Sequence, residues 1–131
     1  MRQETRGRAF DHFTAQKTVV LTTYRRDGTP VPTPVHIVVD GDHAYFRTPS
    51  TAGKVKRLRR NADVEIAPST FRGRPVGPAM LARARLLSEE EAHPVRRALA
   101  RKYPIMQGFV VPLVHRFVYR CQTLHYQLTP R

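Results

Sequence analysis

Apolar and β-branched residues recur with a period of two over much of the chain, which is the pattern of strands with one buried face. In the stretch 31–39, every second residue from Val31 to Val39 is apolar or a threonine. The pairs Asp27-Gly28 and Asp40-Gly41 flank this stretch, and such pairs favour hairpins with antiparallel strands. The pattern predicts strands over 18–24, 31–39, 44–48, 64–67, 79–87 and 117–128. We therefore expect a mainly β fold, a small antiparallel β-barrel in which residues 1–131 form one domain.

Helices are expected at the edges of this barrel, over 6–16, 51–60 and 88–102. The last one opens with Ser88 and Glu91, whose spacing is that of a capping box. Pro94 lies inside it, so we expect a kink or a later helix start. The apolar segment 105–114 remains ambiguous.

Pro32 and Pro34 remove two backbone N–H donors from one side of the strand predicted over 31–39. A central strand does not tolerate this loss, so we expect an edge or a rim of the sheet. Two interpretations remain: a rim on which a flat ligand can lie, or an edge protected by proline against aggregation.

The charge of the chain restricts its partners. The 131 residues include 23 lysines and arginines against 10 carboxylates, a net charge of +13. This excess suits nucleic acid, an anionic membrane face or a polyanionic small molecule. No apolar run reaches the roughly 20 residues of a membrane span. The polar N-terminus lacks a signal-peptide core, and we expect a cytoplasmic protein.

A candidate anion site lies at the start of the basic helix. Hydroxyl groups at positions 48, 50 and 51 precede Gly53, and Lys54 and Arg57 follow one turn apart. A helix start with free N–H groups and nearby cations can bind phosphate or carboxylate. We expect Lys54 to lie closer to the anion than Arg60. The alternative is a solvated basic helix with a Ser/Thr cap.

Side chains that could carry out chemistry themselves are few. The six histidines lack metal-ligand spacing, Ser69 and Ser88 lack a nucleophile motif, and Cys121 is the single cysteine. We therefore predict no catalytic side chain and no metal site. This favours a binding module or an enzyme whose cofactor carries the chemistry.

Four segments together resemble a known family: 24–35, 40–42, 47–48 and 53–61. In this order and spacing they are similar to the flavin and deazaflavin oxidoreductases of the split β-barrel type, relatives of pyridoxamine 5′-phosphate oxidase. The nearest branch is that of small proteins that use the deazaflavin coenzyme F-420. The resemblance implies a homodimer with the cofactor in a groove between protomers.

The resemblance also implies which residues contact the cofactor. The ring would lie against Pro32, Thr33, Pro34 and Val35. The phosphate and tail would meet Arg47, Thr48, Lys54 and Arg57, with Arg26 near the tail. A loop of the partner protomer, Arg72 to Arg74, would close the site. These expectations give the following site residues: Arg26, Pro32, Thr33, Pro34, Val35, Arg47, Thr48, Lys54, Arg57, Arg72 and Arg74.

The implied function is hydride transfer from reduced F-420 to an unidentified small-molecule acceptor. An FMN-dependent oxidase or reductase and a non-catalytic F-420 carrier are the alternatives. A nucleic-acid binder has less support, because no aromatic residues interleave with the basic run 54–60.

Overall fold

The computed structural model describes residues 9–103 and 122–131. One turn of 3₁₀ helix, Asp11–Phe13, precedes the sheet. The strands are β1 Val19–Tyr24, β2 Pro30–Val35, β3 Ile37–Asp40, β4 His43–Pro49, β5 Asp63–Pro68, β6 Met80–Leu86 and β7 Thr123–Pro130. The two α-helices are α1 Gly53–Arg60 and α2 Glu89–Lys102.

The strands form one antiparallel sheet in the order β2-β1-β5-β6-β7-β4-β3. β2 and β3 follow one another along the chain with only His36 between them, yet they lie at opposite edges of the sheet. Two edges joined by one residue must meet at that point, so the sheet is curled into an open barrel. This confirms the predicted mainly β, antiparallel barrel.

The single strand predicted over 31–39 is wrong, because the chain changes partner strand at His36. β2 pairs with β1, whereas β3 pairs with β4. Both Val35 and Ile37 are buried, so the alternation of apolar residues continues across the break. A pattern with period two contains no sign of this change.

The barrel interior holds the main core. Its largest fully buried side chains include Phe46, Leu21 and Ile66, and Phe46 stacks on Tyr126 with ring centroids 5.2 Å apart. Phe13, from the 3₁₀ turn, is part of the same cluster. Burial of each such side chain contributes roughly 1.5–3 kcal/mol.

Helix α2 packs on the outer face of the sheet. Ser88 Oγ accepts a hydrogen bond from the Glu91 N–H at 3.2 Å, and Glu91 Oε1 accepts one from the Ser88 N–H at 2.9 Å. The predicted capping box is therefore confirmed. The helix begins at Glu89, so a start after Pro94 is not observed. Its apolar face joins Leu87 in a second cluster that touches the sheet.

The end of α2 is bound to the point where β2 gives way to β3. The Tyr103 hydroxyl lies 2.7 Å from the Lys17 carbonyl oxygen and 3.0 Å from that of Ile37, and it accepts from the Ile37 N–H at 3.3 Å. Lys102 Nζ donates to the Ile37 carbonyl at 2.7 Å. The His36 ring stacks on the Tyr103 ring at 4.5 Å.

The remaining predicted elements agree less closely. Within the described residues, the helix predicted over 6–16 is reduced to the turn Asp11–Phe13. The strand predicted over 117–128 is observed as β7, which ends at Pro130, and residues 117–121 lie outside the described part. The ambiguous segment 105–114 also lies outside it.

We expect Tyr103→Phe to lower the free energy of unfolding by about 1–3 kcal/mol, because the buried Ile37 N–H loses a partner. Chemical denaturation at neutral pH measures the change. Tyr45→Phe is the matched control, because within residues 9–103 and 122–131 its hydroxyl takes part in one long hydrogen bond, from Gln127 at 3.4 Å. Equal losses in the two variants would contradict a special role for the Tyr103 hydroxyl.

Candidate functional site

A basic groove lies between the β1–β2 turn and one face of α1. Its volume is about 670 Å³. The turn is fixed by Asp27 Oδ1, which accepts from the Thr29 N–H at 3.0 Å, and by Gly28, whose φ of 90° favours glycine. The groove is lined by Arg25, Arg26, Asp27, Gly53, Lys56, Arg57 and Arg60.

Helical periodicity explains which residues of α1 face the groove. Positions 53, 56, 57 and 60 are spaced by three, four and seven residues and therefore share one face. Val55 and Leu58 are buried and hold the other side of the helix on the protein. The groove thus combines five cationic side chains with one carboxylate, that of Asp27.

Arg57 is the groove cation with a defined orientation. Its Nε donates to Thr23 Oγ1 at 2.6 Å, and Thr23 is fully buried in β1. A β-carbon added at Gly53 would come within 3.0 Å of Arg57 Nη1. Burial, with smaller effects of Arg25 and Arg60, lowers the pKa of Arg57. An anion bound next to Arg57 would therefore offset the unfavourable interactions of its charged guanidinium.

Lys54 does not line the groove, whereas Arg60 does. Lys54 lies about 100° around the helix from Gly53 and is only half exposed. Burial and then Arg57 lower the pKa of its ammonium group. Arg60 therefore lies nearer to this groove than Lys54, and the expectation that Lys54 lies closer to the bound anion stays a prediction.

The start of α1 carries no acidic side chain. Its first turn has no acidic residue, and the N-cap residue Ala52 makes no side-chain capping bond. Of the first-turn N–H groups, that of Val55 donates to the Ala52 carbonyl at 3.1 Å. The start of a helix is the positive end of its dipole, which adds to the positive charge of the groove.

Arg47 and Thr48 lie on opposite faces of β4, because successive side chains of a strand alternate. Thr48 is on the face of Phe46, towards the barrel interior, and its buried Oγ1 has no hydrogen-bond partner within the described residues. Arg47 is buried on the outer face, opposite His125 of β7. Neither side chain lines the groove.

A second group of basic side chains lies between the sheet and α2. It consists of Arg47, Arg96 and His125. Burial, followed by Arg96, lowers the pKa of Arg47 to about 10. Burial, followed by Arg47 and Arg96, lowers the pKa of His125 to about 4. His125 is therefore neutral at physiological pH.

The proline-rich strand β2 is an edge strand, as predicted. Pro32 and Pro34 are exposed, Thr33 is half-buried and Val35 is buried. A β-carbon at Gly73 would come within 3.3 Å of Pro34 Cβ, so the loop between β5 and β6 packs over this strand. That loop belongs to the same chain as the strand it covers.

Arg72 and Arg74 are exposed on this loop. The loop is held by the Gly73 N–H, which donates to the Thr70 carbonyl at 2.9 Å, and by the Thr70 N–H, which donates to the Arg74 carbonyl at 2.9 Å. The Arg72 guanidinium lies 5.6 Å from the centre of the exposed Phe71 ring. Both arginines stand close to β2 rather than at the groove.

The structure thus distributes the predicted site residues over three places. Arg26 and Arg57 line the groove, and Lys54 lies on α1 next to it without lining it. The segment from Pro32 to Val35 lies near the Arg72–Arg74 loop, and Arg47 and Thr48 are buried in β4. Sequence reasoning missed five residues at the groove, and for the helical ones the three- and four-residue spacing was an available signal. These five are Thr23, Arg25, Asp27, Lys56 and Arg60.

Residues 9–103 and 122–131 contain no group of three His, Cys, Asp or Glu side chains that could hold a metal ion. None of the helices found there has the length and apolarity that crossing a membrane requires.

The sequence profile of the pyridoxamine 5′-phosphate oxidase family matches residues 7–122. No curated protein sequence matches the chain.

Similar solved structures share the fold at low identity. A candidate pyridoxamine 5′-phosphate oxidase from Listeria innocua is 16% identical, with a TM-score of 0.66 over 95% of this chain and 91% of that one. An FAD-binding protein from Mesorhizobium loti is 14% identical, with a TM-score of 0.65 over 94% and 85%. HutZ, a heme storage protein from Vibrio cholerae, is 17% identical, with a TM-score of 0.68 over 100% and 92%.

The depressed pKa of His125 predicts a pH dependence of stability. Between its ordinary value of 6.5 and the folded value of about 4, the unfolded chain binds more protons at this position than the folded chain does. Stability is therefore lost as the pH falls through this range. We expect His125→Gln to reduce the loss of unfolding free energy between pH 7 and pH 5, as measured by urea denaturation. His93→Gln, at an exposed site on α2, is the control and should leave the pH dependence unchanged.

Proposed function

Since the chain belongs to the pyridoxamine 5′-phosphate oxidase family, we propose that it binds a flavin-type cofactor and acts as an oxidoreductase. The similarity of its fold to that of an FAD-binding protein supports this proposal. The groove between the β1–β2 turn and α1 is the site for the charged end of the cofactor. The observation that carries the proposal is the concentration of five cations against one carboxylate along this groove.

The proposed cofactor is the deazaflavin coenzyme F-420, with FMN as the alternative. F-420 carries a phosphodiester and an oligoglutamate tail, whereas FMN ends in one phosphate monoester. One monoester requires fewer cations than the groove provides. A tail of several carboxylates matches the surplus of charge.

The residues of this chain fit such a cofactor by binding and orienting it. The bound ring would supply hydride transfer, here from reduced F-420 to an unidentified small-molecule acceptor. Arg57, held by Thr23, offers a fixed donor to an anionic group. The exposed edge of β2, with Pro32 and Pro34, offers a flat apolar surface. The other proposed contacts of the cofactor are Arg26, Thr33, Val35, Arg47, Thr48, Lys54, Arg72 and Arg74.

A non-catalytic carrier is the second candidate function. One similar structure is a heme storage protein, so the fold also serves proteins whose named role is storage. A carrier would bind its cofactor in the same groove without turnover. Heme is therefore included among the ligands in the test below.

We also propose that the chain forms a homodimer with the cofactor between protomers. Leu81, on the exposed face of β6, is half exposed, and Val76 and Phe71 in the preceding loop are more exposed still. Several large apolar side chains exposed along one strand and its loop are typical of an interaction surface.

We expect F-420 to bind more tightly than FMN at low salt, and the difference to shrink as the salt concentration rises. Contacts between exposed cations and the tail are screened by ions, whereas the contribution of the ring is not. Titration of the purified protein with F-420, FMN and heme at two salt concentrations, followed by cofactor absorbance or fluorescence, measures this. Tighter binding of FMN at both concentrations would replace F-420 by FMN in the proposal.

Two variants test whether the cofactor binds in the groove. Arg57→Gln removes a groove cation, and Arg59→Gln removes an exposed cation of the same helix that does not line the groove. We expect Arg57→Gln to weaken F-420 binding about tenfold, because a hydrogen bond to a charged group contributes roughly 1.5–3 kcal/mol. Arg59→Gln should have a small effect. Equal losses would show that the helix acts only as diffuse charge.

We expect sedimentation equilibrium at micromolar concentration to give twice the monomer mass of 15.0 kDa. Leu81→Glu places a charge on the exposed face of β6 and should shift the distribution towards monomer. Glu90→Gln, on the exposed start of α2, is the control. A wild-type monomer that still binds the cofactor would contradict the shared groove.

A further inference from the structure

The five cations of the groove differ in how they are held. Arg25, Arg26, Lys56 and Arg60 are exposed, and within the described part of the chain none of their side chains makes a hydrogen bond or an ion pair. Arg57 is half-buried, and its Nε is bonded to the fully buried Thr23 hydroxyl at 2.6 Å. One cation of the groove is therefore fixed, and four are solvated.

The bond from Thr23 determines what Arg57 presents. A guanidinium has five N–H donors in a rigid plane, and Nε uses one of them. Four donors remain on Nη1 and Nη2, and one from each nitrogen points along the Nη1–Nη2 edge of the plane. Nη1 lies over Gly53, at 3.0 Å from the place where a side chain would begin. Gly53 itself lines the groove, so this edge faces the ligand space.

We propose that Thr23 is a positioning residue that fixes Arg57 as the rigid anchor for a phosphoryl or carboxylate group in this groove. Gly53 has the complementary role, because it leaves the space that the anchored guanidinium occupies. This inference rests on the proposed function in one respect, since it takes the groove as the site for the charged end of the cofactor.

A fixed arginine binds an oxyanion differently from a solvated one. Two parallel N–H donors match two oxygens of a phosphoryl or carboxylate group. A guanidinium that is already oriented loses less conformational entropy on binding. The four exposed cations attract the anion over a longer range and are screened by salt. Thr23 thus determines how much of the binding affinity remains at high salt concentration.

The first test removes and then restores the Thr23 hydroxyl. Thr23→Val keeps the shape and charge of the site but removes the acceptor, and Thr23→Ser restores the acceptor. With inorganic tripolyphosphate and F-420 as probes, we expect Thr23→Val to weaken binding about tenfold and Thr23→Ser to stay within about threefold of wild type. The loss should be as large at high salt as at low salt, because the number of charges is unchanged.

The second test separates binding from folding. Gly53→Ala introduces a β-carbon that must displace Arg57 Nη1. Alanine is a better helix former than glycine, so the unfolding midpoint should stay the same or rise. We expect weaker binding of both probes in a variant that is at least as stable as wild type. A Gly53→Ala protein with wild-type affinity would overturn the role assigned to Gly53.

The third test asks whether Thr23 acts through Arg57. In an Arg57→Gln background, Thr23→Val should cause no further loss of affinity, because the pair acts as a unit. An additional tenfold loss in that background would overturn the positioning role, as would wild-type affinity in Thr23→Val alone or a failure of tripolyphosphate to bind the wild-type protein.

The outcomes also distinguish this inference from the proposed function. If F-420 or FMN binds and the Thr23 and Gly53 variants bind it equally well, the anchor is wrong and the cofactor proposal stands. If tripolyphosphate binds with the expected losses but neither cofactor binds, the anchor stands and the cofactor proposal is wrong.

Discussion

The hydrogen bonds of Tyr103 join the start of β3 to the segment that precedes β1. Ile37 is the first residue of an edge strand, where a backbone N–H and C=O lack a neighbouring strand on one side. Buried backbone groups without partners are costly. Tyr103 and Lys102 provide the missing donors and acceptors, at 2.7–3.3 Å. The end of α2 therefore replaces the strand that would otherwise have closed the barrel.

The candidate site depends on this closure through β1. β1 lies between the edge strand β2 and the core strand β5, and α1 packs on it. Thr23, near the end of β1, is buried under the helix, and the turn that follows carries Arg25 and Arg26. The helix and the turn are thus brought together by one strand, and the groove is the space left between them. A shift of β1 would separate Arg57 from Thr23 and change the width of the groove at the same time.

Features determined by local chemistry could be predicted from the sequence. The capping box at Ser88, the Asp27-Gly28 turn and the edge position of Pro32 and Pro34 each follow from a few neighbouring residues, and each is observed. The resemblance to the split β-barrel family agrees with the family profile and with the fold. The change of partner strand at His36 was missed because it depends on how the whole sheet curls, which no local sequence pattern records. The resemblance implied that Arg47 and Thr48 both meet the phosphate, whereas adjacent residues of a strand face opposite sides of the sheet.

The excess of positive charge in the groove determines how anion binding affects the stability of the fold and how it depends on salt. Burial, followed by Arg25 and Arg60, disfavours the charged form of Arg57, so the groove contains unfavourable electrostatics that the fold must offset. An anion bound to the folded state alone removes part of this unfavourable electrostatic energy and stabilises the fold by mass action. The same attraction is weakened by salt, because most of the cations are exposed. The Thr23–Arg57 hydrogen bond acts differently from these charges, because it fixes the orientation of the guanidinium and adds no charge. Specificity for an oxyanion of defined shape must therefore come from this buried contact, and long-range attraction from the arginines and lysine around it.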